Sequence, residues 1–260
     1  MSFPGPPDPS RVQRLLQPVW GAWVDLVYPR LCCVCKAPVE EGWFCEGCAN
    51  ALPLVEAPYC GVCGEVYDGA LTGEFRCGNC SGRRLEFEFA VAACHAEGAM
   101  RELVHQFKYE RRLHLRGALA TLMLRTLEEP RLAGENLAEW LLVPVPLHRS
   151  REAEREFNQS WELCGRLSRL TGIPAAKALV RTRETVQQAG LSREERLKNL
   201  RGAFAVRPVR RWQRPMELKG RRILLVDDVF TTGATASECA RVLRREGGAE
   251  KVVVITTTRG

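Results

Sequence analysis

The stretch Ile223-Leu224-Leu225-Val226-Asp227-Asp228-Val229-Phe230-Thr231-Thr232-Gly233-Ala234-Thr235 decides the reading of this chain. Ile223 to Val226 form a continuous apolar run, the pattern of a parallel strand covered on both faces. Asp227 and Asp228 are read as the end of that strand. A Thr- and Gly-rich turn then leads into a helix whose Ala236, Ala240 and Leu243 fall on one stripe. In open α/β sheets, ligands sit at the carboxyl ends of such strands. Two adjacent carboxylates there can accept hydrogen bonds from the vicinal hydroxyls of a ribose. The turn from Thr231 to Thr235 brings the N–H groups and positive dipole end of a helix N-terminus, which suit a phosphate. Gly233 lets backbone and ligand approach closely. The stretch therefore predicts a site for a sugar that carries a phosphate.

Two other phosphate-binding designs are excluded. A Walker B strand needs a G-x-x-x-x-G-K-[ST] cradle, and the sequence contains none. A dinucleotide fold needs G-x-G-x-x-G after a strand, which is also missing. The chain has 260 residues, enough for one sizeable α/β core and a smaller module. Its 45% hydrophobic and 27% charged content is that of a globular protein. A formal net charge of +7 suits anionic partners without naming one.

Eight of the twelve cysteines form four C-x-x-C pairs: Cys32/Cys35, Cys45/Cys48, Cys60/Cys63 and Cys77/Cys80. Each pair is a knuckle that presents two thiolates to one tetrahedral zinc, so four knuckles predict two Zn2+ sites. The simplest pairing joins Cys32, Cys35, Cys45 and Cys48 at one zinc and Cys60, Cys63, Cys77 and Cys80 at the other; spacing leaves an interleaved pairing open. Gly64 stands where a knuckle turn needs a residue without a Cβ. With all eight thiolates used as ligands, the metal is read as structural. Cys33, Cys94, Cys164 and Cys239 are read as core residues.

The chain divides into a proline-rich tail and amphipathic helix over 1–30, a cysteine-rich segment over 31–84, and an α/β domain over 85–260. Residues 11–28 carry Leu15, Leu16, Val19, Trp20, Trp23, Val24 and Val27 at helical spacing, interrupted by Pro18. This stripe is too short and broken to span a membrane, so no membrane span is expected. Beyond the cysteines, Phe87, Phe89, Val91 and Ala93 alternate as a strand. Helices are expected over 99–109, 113–127, 158–170 and 194–200, the last capped by Ser192. Strands are expected over 140–143 and 251–256. Strands alternating with helices predict a mostly parallel sheet.

The Asp227–Thr235 run resembles the 5-phosphoribosyl-1-pyrophosphate (PRPP) loop of type I phosphoribosyltransferases. From Tyr28 onward the chain is similar to the ComF family, which joins a double zinc ribbon to a phosphoribosyltransferase-like domain. Further likeness lies in Phe107-Lys108-Tyr109, in Val143-Pro144-Val145-Pro146-Leu147-His148 and in Phe157-Asn158-Gln159. The pattern Gln188, Leu191, Arg196 and Asn199 adds to it. The resemblance implies a sheet of the type I phosphoribosyltransferase kind, with PRPP and Mg2+ as ligand. It implies that Asp227 and Asp228 hold the ribose. Thr231, Thr232, Gly233, Ala234 and Thr235 would hold the 5′-phosphate. Lys108, His148, Arg149 and Arg155 are candidates for the pyrophosphate side. The chain departs from the family at Glu156, where glycine is usual before Phe-Asn-Gln. A side chain and a negative charge there bear on closure over pyrophosphate and so on turnover.

The resemblance also implies a cytoplasmic role in natural transformation, with DNA-uptake proteins and single-stranded DNA as partners. The basic segment 193–222, with Phe204 and Trp212, has the composition of a single-strand-binding groove and equally that of a solvated linker. Two further functions remain in view: a transferase that salvages a free nucleobase, and a non-catalytic nucleic-acid adaptor on the same fold.

Overall fold

The computed structural model describes residues 30–67, 69, 73, 75–184, 200–208 and 217–260. The tail and the helix expected over 11–28 lie outside these residues. So do residues 185–199, with Gln188, Leu191, Arg196, Asn199 and nearly all of the expected 194–200 helix, and 209–216 of the basic segment.

The chain separates into two compact units, one ending at Ala51 and one running from Leu52 to Gly260. The first unit holds a single short helix among its described residues, α1 (Glu46–Asn50). The second contains, in chain order, β1 (Ala90–His95), α2 (Gly98–Tyr109), α3 (Leu115–Met123), β2 (Leu141–Pro144), α4 (Arg149–Arg155) and α5 (Gln159–Thr171). These are followed by β3 (Leu179–Arg181), β4 (Phe204–Val206), β5 (Arg222–Phe230), α6 (Ala234–Arg245) and β6 (Lys251–Arg259). Four strands form a sheet in the order β1-β6-β5-β2, every neighbouring pair parallel. Strands β3 and β4 make a separate antiparallel pair.

The apolar runs behave as buried parallel strands should. Ile223 to Val226 and Val252 to Ile255 are fully buried, and β6 is almost wholly β-branched, which suits a pleated surface packed on both faces. Ala236, Ala240 and Leu243 are buried on one stripe of α6. Helix α5 starts where Asn158 Oδ1 accepts the Trp161 N–H at 3.0 Å and stops at Gly172, with φ +77°.

Three expectations need adjusting. Asp227 and Asp228 do not end their strand, because β5 runs on to Phe230. The partner strand continues as Thr256-Thr257-Thr258-Arg259, and pairs such as Asp227 with Thr256 and Val229 with Thr258 extend the ladder past the apolar run. The strand expected from Phe87 begins only at Ala90; Phe87 and Phe89 are buried just before it, and Glu88 N–H donates to Val252 O at 2.9 Å. Helix α4 and the β3–β4 pair have no counterpart among the expected elements, since neither has a periodic apolar face long enough to register. The four cysteines outside the knuckles are all buried, as expected. No helix among the described residues is long and apolar enough to cross a membrane.

Candidate functional site

The loop after β5 takes its shape from one residue. Gly233 has φ +73° and precedes α6 as its N-cap. A Cβ there would stand 2.7 Å from the Phe230 ring, so both the backbone angle and the packing require glycine. The first helical bond runs from Ser237 N–H to Gly233 O at 2.8 Å. The amides of Gly233, Ala234 and Ala236 therefore have no acceptor within the helix. Asp227, residues 229–236 and Val254 line one small pocket of about 30 Å³. Of the seven residues expected to hold the sugar phosphate, Asp227, Thr231, Thr232, Gly233, Ala234 and Thr235 come together there, and Asp228 does not.

The two aspartates are neighbours in a strand and so point to opposite faces. Asp227 Oδ1 accepts from Ser160 Oγ at 2.9 Å and from the Asp228 N–H at 3.0 Å. Asp228 Oδ2 lies 2.8 Å from Lys108 Nζ, and both side chains are largely buried. Burial and the Asp228 charge push the Asp227 carboxyl up to about 7, against the opposing pull of Lys108 and the Ser160 hydroxyl. Burial works against the Lys108 cation, but the Asp228 carboxylate beside it more than offsets this and raises the lysine above its ordinary value. One lysine thus serves two carboxylates, and the second stays close to neutrality. A carboxyl in that state can donate to or accept from sugar hydroxyls, and it can ligate a hard cation only once it has lost its proton.

The four residues expected on the pyrophosphate side are dispersed. Lys108 is engaged with Asp228. Arg155 donates to Tyr109 Oη at 3.2 Å and stacks over its ring at 4.8 Å. His148 is the N-cap of α4, its Nδ1 2.8 Å from Ser150 Oγ. His148 and Arg149 line a cavity of 520 Å³ at the carboxyl end of β2, together with Lys177, Arg181 and Arg207. Glu152 lines the same cavity, so its wall is mixed in charge with cations in excess. Glu156 sits in the left-handed region at φ +67°, the angle for which glycine is favoured. Its carboxylate pairs with Arg111, itself at φ +55°, at 2.7 Å.

The cysteines form two tetrads, Cys32-Cys35-Cys45-Cys48 and Cys60-Cys63-Cys77-Cys80, with the sulfurs of each set within 4.8 Å of one another. The sequential pairing is therefore the one adopted. Cys35 and Cys45 sulfurs stand 3.5 Å apart, as do those of Cys63 and Cys77. Zn–S bonds of about 2.3 Å in a tetrahedron place sulfurs roughly 3.8 Å apart, so both sets fit zinc and neither fits a disulfide. Cys32 and Cys60 are drawn down toward the thiolate form. Burial raises both, but the amides of Cys35, Cys45 and Val34 bring Cys32 down to about 6, and those of Cys77, Cys63 and Val62 bring Cys60 down to about 7. Gly64 has φ +68°, as its knuckle turn requires.

Ser160, Arg83 and Arg259 touch the site and are absent from the residues that sequence reasoning selects. Ser160 follows the Phe157-Asn158-Gln159 segment directly, which is a usable signal. Arg83 and Arg259 look like solvated ends of their segments, and nothing in the sequence places them.

These parts define a class: a chain with two four-cysteine zinc-ribbon sites and a parallel α/β unit bearing two adjacent acids and a Thr- and Gly-rich loop before a helix. Residues 23–99 match the double zinc ribbon domain family. The chain is 34% identical over 228 residues to the DNA utilization protein YhgH of Escherichia coli (strain K12), covering 86% of this chain and 95% of that protein. It is 30% identical over 210 residues to competence protein F of Haemophilus influenzae, covering 80% and 87% of the two chains. The chain belongs to the ComF family. A solved structure with partial likeness is a glutamine PRPP amidotransferase from Bacillus subtilis, at 19% identity and TM-score 0.36. It covers 58% of this chain and 30% of that one. A phosphoribosylpyrophosphate synthetase from Mycobacterium smegmatis gives 19% identity and TM-score 0.29, over 55% and 33%.

Proposed function

We propose that this chain binds PRPP with Mg2+ through a phosphoribosyltransferase-like site and serves DNA uptake or single-stranded DNA processing in the cytoplasm. The observation that carries the reading is the pocket that Asp227 shares with residues 231–236 at the carboxyl end of β5. The 5′-phosphate accepts from the loop amides at the start of α6. Asp227 accepts from the ribose hydroxyls, and its carboxyl near neutrality lets it exchange a proton for a hydroxyl donor or a cation. Asp228, held by Lys108, keeps a second negative charge behind the sugar. Mg2+ needs hard oxygen ligands; one of these carboxylates together with ligand oxygens and water supplies them. The cavity beside His148 and Arg149 is the place for the pyrophosphate. The names of the relatives from Escherichia coli and Haemophilus influenzae, a DNA utilization protein and a competence protein, support the DNA-handling role.

Calorimetric titration with PRPP and Mg2+ tests the reading. Saturable binding is expected, and it should vanish when Asp227 and Asp228 are both changed to alanine. Unaltered affinity in that double variant would reject the site. Pyrophosphate release with each common nucleobase then separates binding from transfer: turnover on one base would make the protein a salvage transferase instead.

A further inference from the structure

The second cysteine tetrad and the loop at Thr231–Thr235 are joined by side chains to which the sugar-phosphate reading gives no role. Arg259 closes β6 and is only 7% exposed. Its Nη1 donates to Thr231 O at 2.8 Å and to Gly260 O at 2.9 Å, with a longer contact of 3.4 Å to Phe230 O. Its Nη2 lies 3.8 Å from Cys63 Sγ and is ion-paired with Glu65. The guanidinium stands 5.3 Å from the centroid of the Phe230 ring, the same ring that forbids a Cβ at Gly233. Arg83, three residues beyond Cys80, donates to Asn79 O and to Thr232 O, both at 3.3 Å. Glu86 N–H donates to Ser237 Oγ at 3.2 Å, in the first turn of α6.

These bonds have a directional consequence. In a trans peptide the C=O and the following N–H point opposite ways. Arg259 holds the Thr231 carbonyl and Arg83 the Thr232 carbonyl, both from the ribbon side. The amides of Thr232 and Gly233 are thereby turned away from the ribbon, toward the space where an anion would sit. The other end of Arg259 has its own function. Four thiolates around Zn2+ leave a net charge of −2, and a guanidinium beside Cys63 offsets part of it in a buried setting.

We propose that Arg259 is a positioning residue that ties the second zinc site to the phosphate loop, so that metal at Cys60, Cys63, Cys77 and Cys80 and an anion at Thr231–Thr235 each favour the other. This rests on the reading of that loop as a sugar-phosphate site. Because coupling between two ligands is reciprocal, a bound phosphorylated sugar must tighten zinc by the factor with which zinc tightens the sugar, and slower zinc release is the expected sign of it.

The test uses the full chain carrying both zinc ions. Affinity for ribose 5-phosphate and for PRPP with Mg2+ is measured by calorimetry, and zinc release to a chromogenic chelator is followed with and without saturating ribose 5-phosphate. Arg259→Met should weaken ribose 5-phosphate about tenfold and Arg83→Met about threefold, the scale of one or two charge-assisted hydrogen bonds. Arg259→Lys should recover part of the loss. In the wild type, ligand should slow the release of one zinc of the two, and a Cys32→Ser chain, which keeps only the second site intact, should show that slow phase alone. Arg259→Met should abolish the slowing. Wild-type binding of either sugar combined with full affinity in Arg259→Met, or with zinc release indifferent to ligand, overturns the coupling and leaves the sugar-phosphate site standing. A wild type that binds neither compound overturns both. If Arg259→Met does not fold, Arg83→Met and the wild-type release rates decide the matter.

Discussion

The two cysteine tetrads share the C-x-x-C spacing within each knuckle and the same 3.5 Å approach between knuckles, yet they occupy different situations. In the first, Cys35 is exposed and Cys45 and Cys48 are half-buried, within a unit of few elements. In the second, all four cysteines are buried and belong to the same apolar cluster as Leu225, Val254 and Ala240 of the sheet and its helix. The backbone around it is bonded to the edge strand: Ala90 N–H donates to Val62 O at 2.9 Å, Val55 N–H to Ala93 O at 3.0 Å, and His95 N–H to Pro53 O at 2.7 Å. A Cβ at Gly64 would come within 3.2 Å of Ala90 O, so the knuckle turn also fits tightly against that strand. The lesson is that a metal knuckle defines only its own few residues. What the metal stabilises depends on what is packed against it.

Removing one ligand from each tetrad gives the sharpest contrast. Cys60→Ser should lower the melting temperature of the sheet-bearing unit by more than about 10 °C, since a structural zinc is worth many kcal/mol and each kcal/mol moves a unit of this size by about 2–4 °C. Cys35→Ser should leave that transition within about 2 °C while the chain loses one zinc. Differential scanning calorimetry with metal analysis reads both, and equal shifts from the two variants would erase the distinction.

A smaller loss is expected from the same unit when no sulfur is touched. Asp228→Ala leaves Lys108 charged and largely buried without its partner, at a cost of about 3 kcal/mol in urea denaturation. Both zinc ions should remain bound, which would show that the unit can weaken without its metal site.

The third outcome depends on pH. The Asp227 carboxyl is pushed up to about 7 by burial and by Asp228, whereas an unfolded aspartate titrates near about 3.9. The folded protein therefore holds this proton more tightly than the unfolded chain. The stability it contributes is whole below about pH 4 and is lost as pH rises through about 7. Denaturation midpoints from pH 4 to 8 should fall in the wild type relative to Asp227→Asn, and parallel curves would remove Asp227 as the cause. Zinc content should stay constant across the range from neutrality upward.

The slightest change is a gain. Glu156→Gly relieves a left-handed residue and should stabilise the chain by about 0.5–1 kcal/mol. The Arg111–Glu156 pair it sacrifices is more than half exposed on both sides and worth little. The gain should be seen by urea denaturation with both zinc sites unaffected.

Much of this protein can be read without coordinates, for local reasons. Helix α2 is expected over 99–109 and is found at Gly98–Tyr109, because its apolar positions recur at helical spacing and are the ones buried. The strand-turn-helix around Gly233 is legible because Gly233, the threonines and the small helix face lie within a few residues of one another. The continuation of β5 through two aspartates is not legible, since it depends on hydrogen bonds from a strand some thirty residues away. Nor is the ion pair of Lys108 with Asp228, which joins residues 120 positions apart in the chain.

The amino-acid order alone determined what acts over short range: the metal-binding knuckles, the alternation of strands with helices, and a Thr- and Gly-rich turn opening onto a helix. Hydrogen-bond capping, turn angles and thiolate spacing are settled among near neighbours, and sequence displays near neighbours directly. Tertiary structure decided which tetrad is sealed into the sheet unit, which aspartate shares the pocket with the loop, and that Arg259 faces a cysteine on one side and a loop carbonyl on the other. Those outcomes depend on burial and charge between residues brought together only by folding, and no local pattern records them.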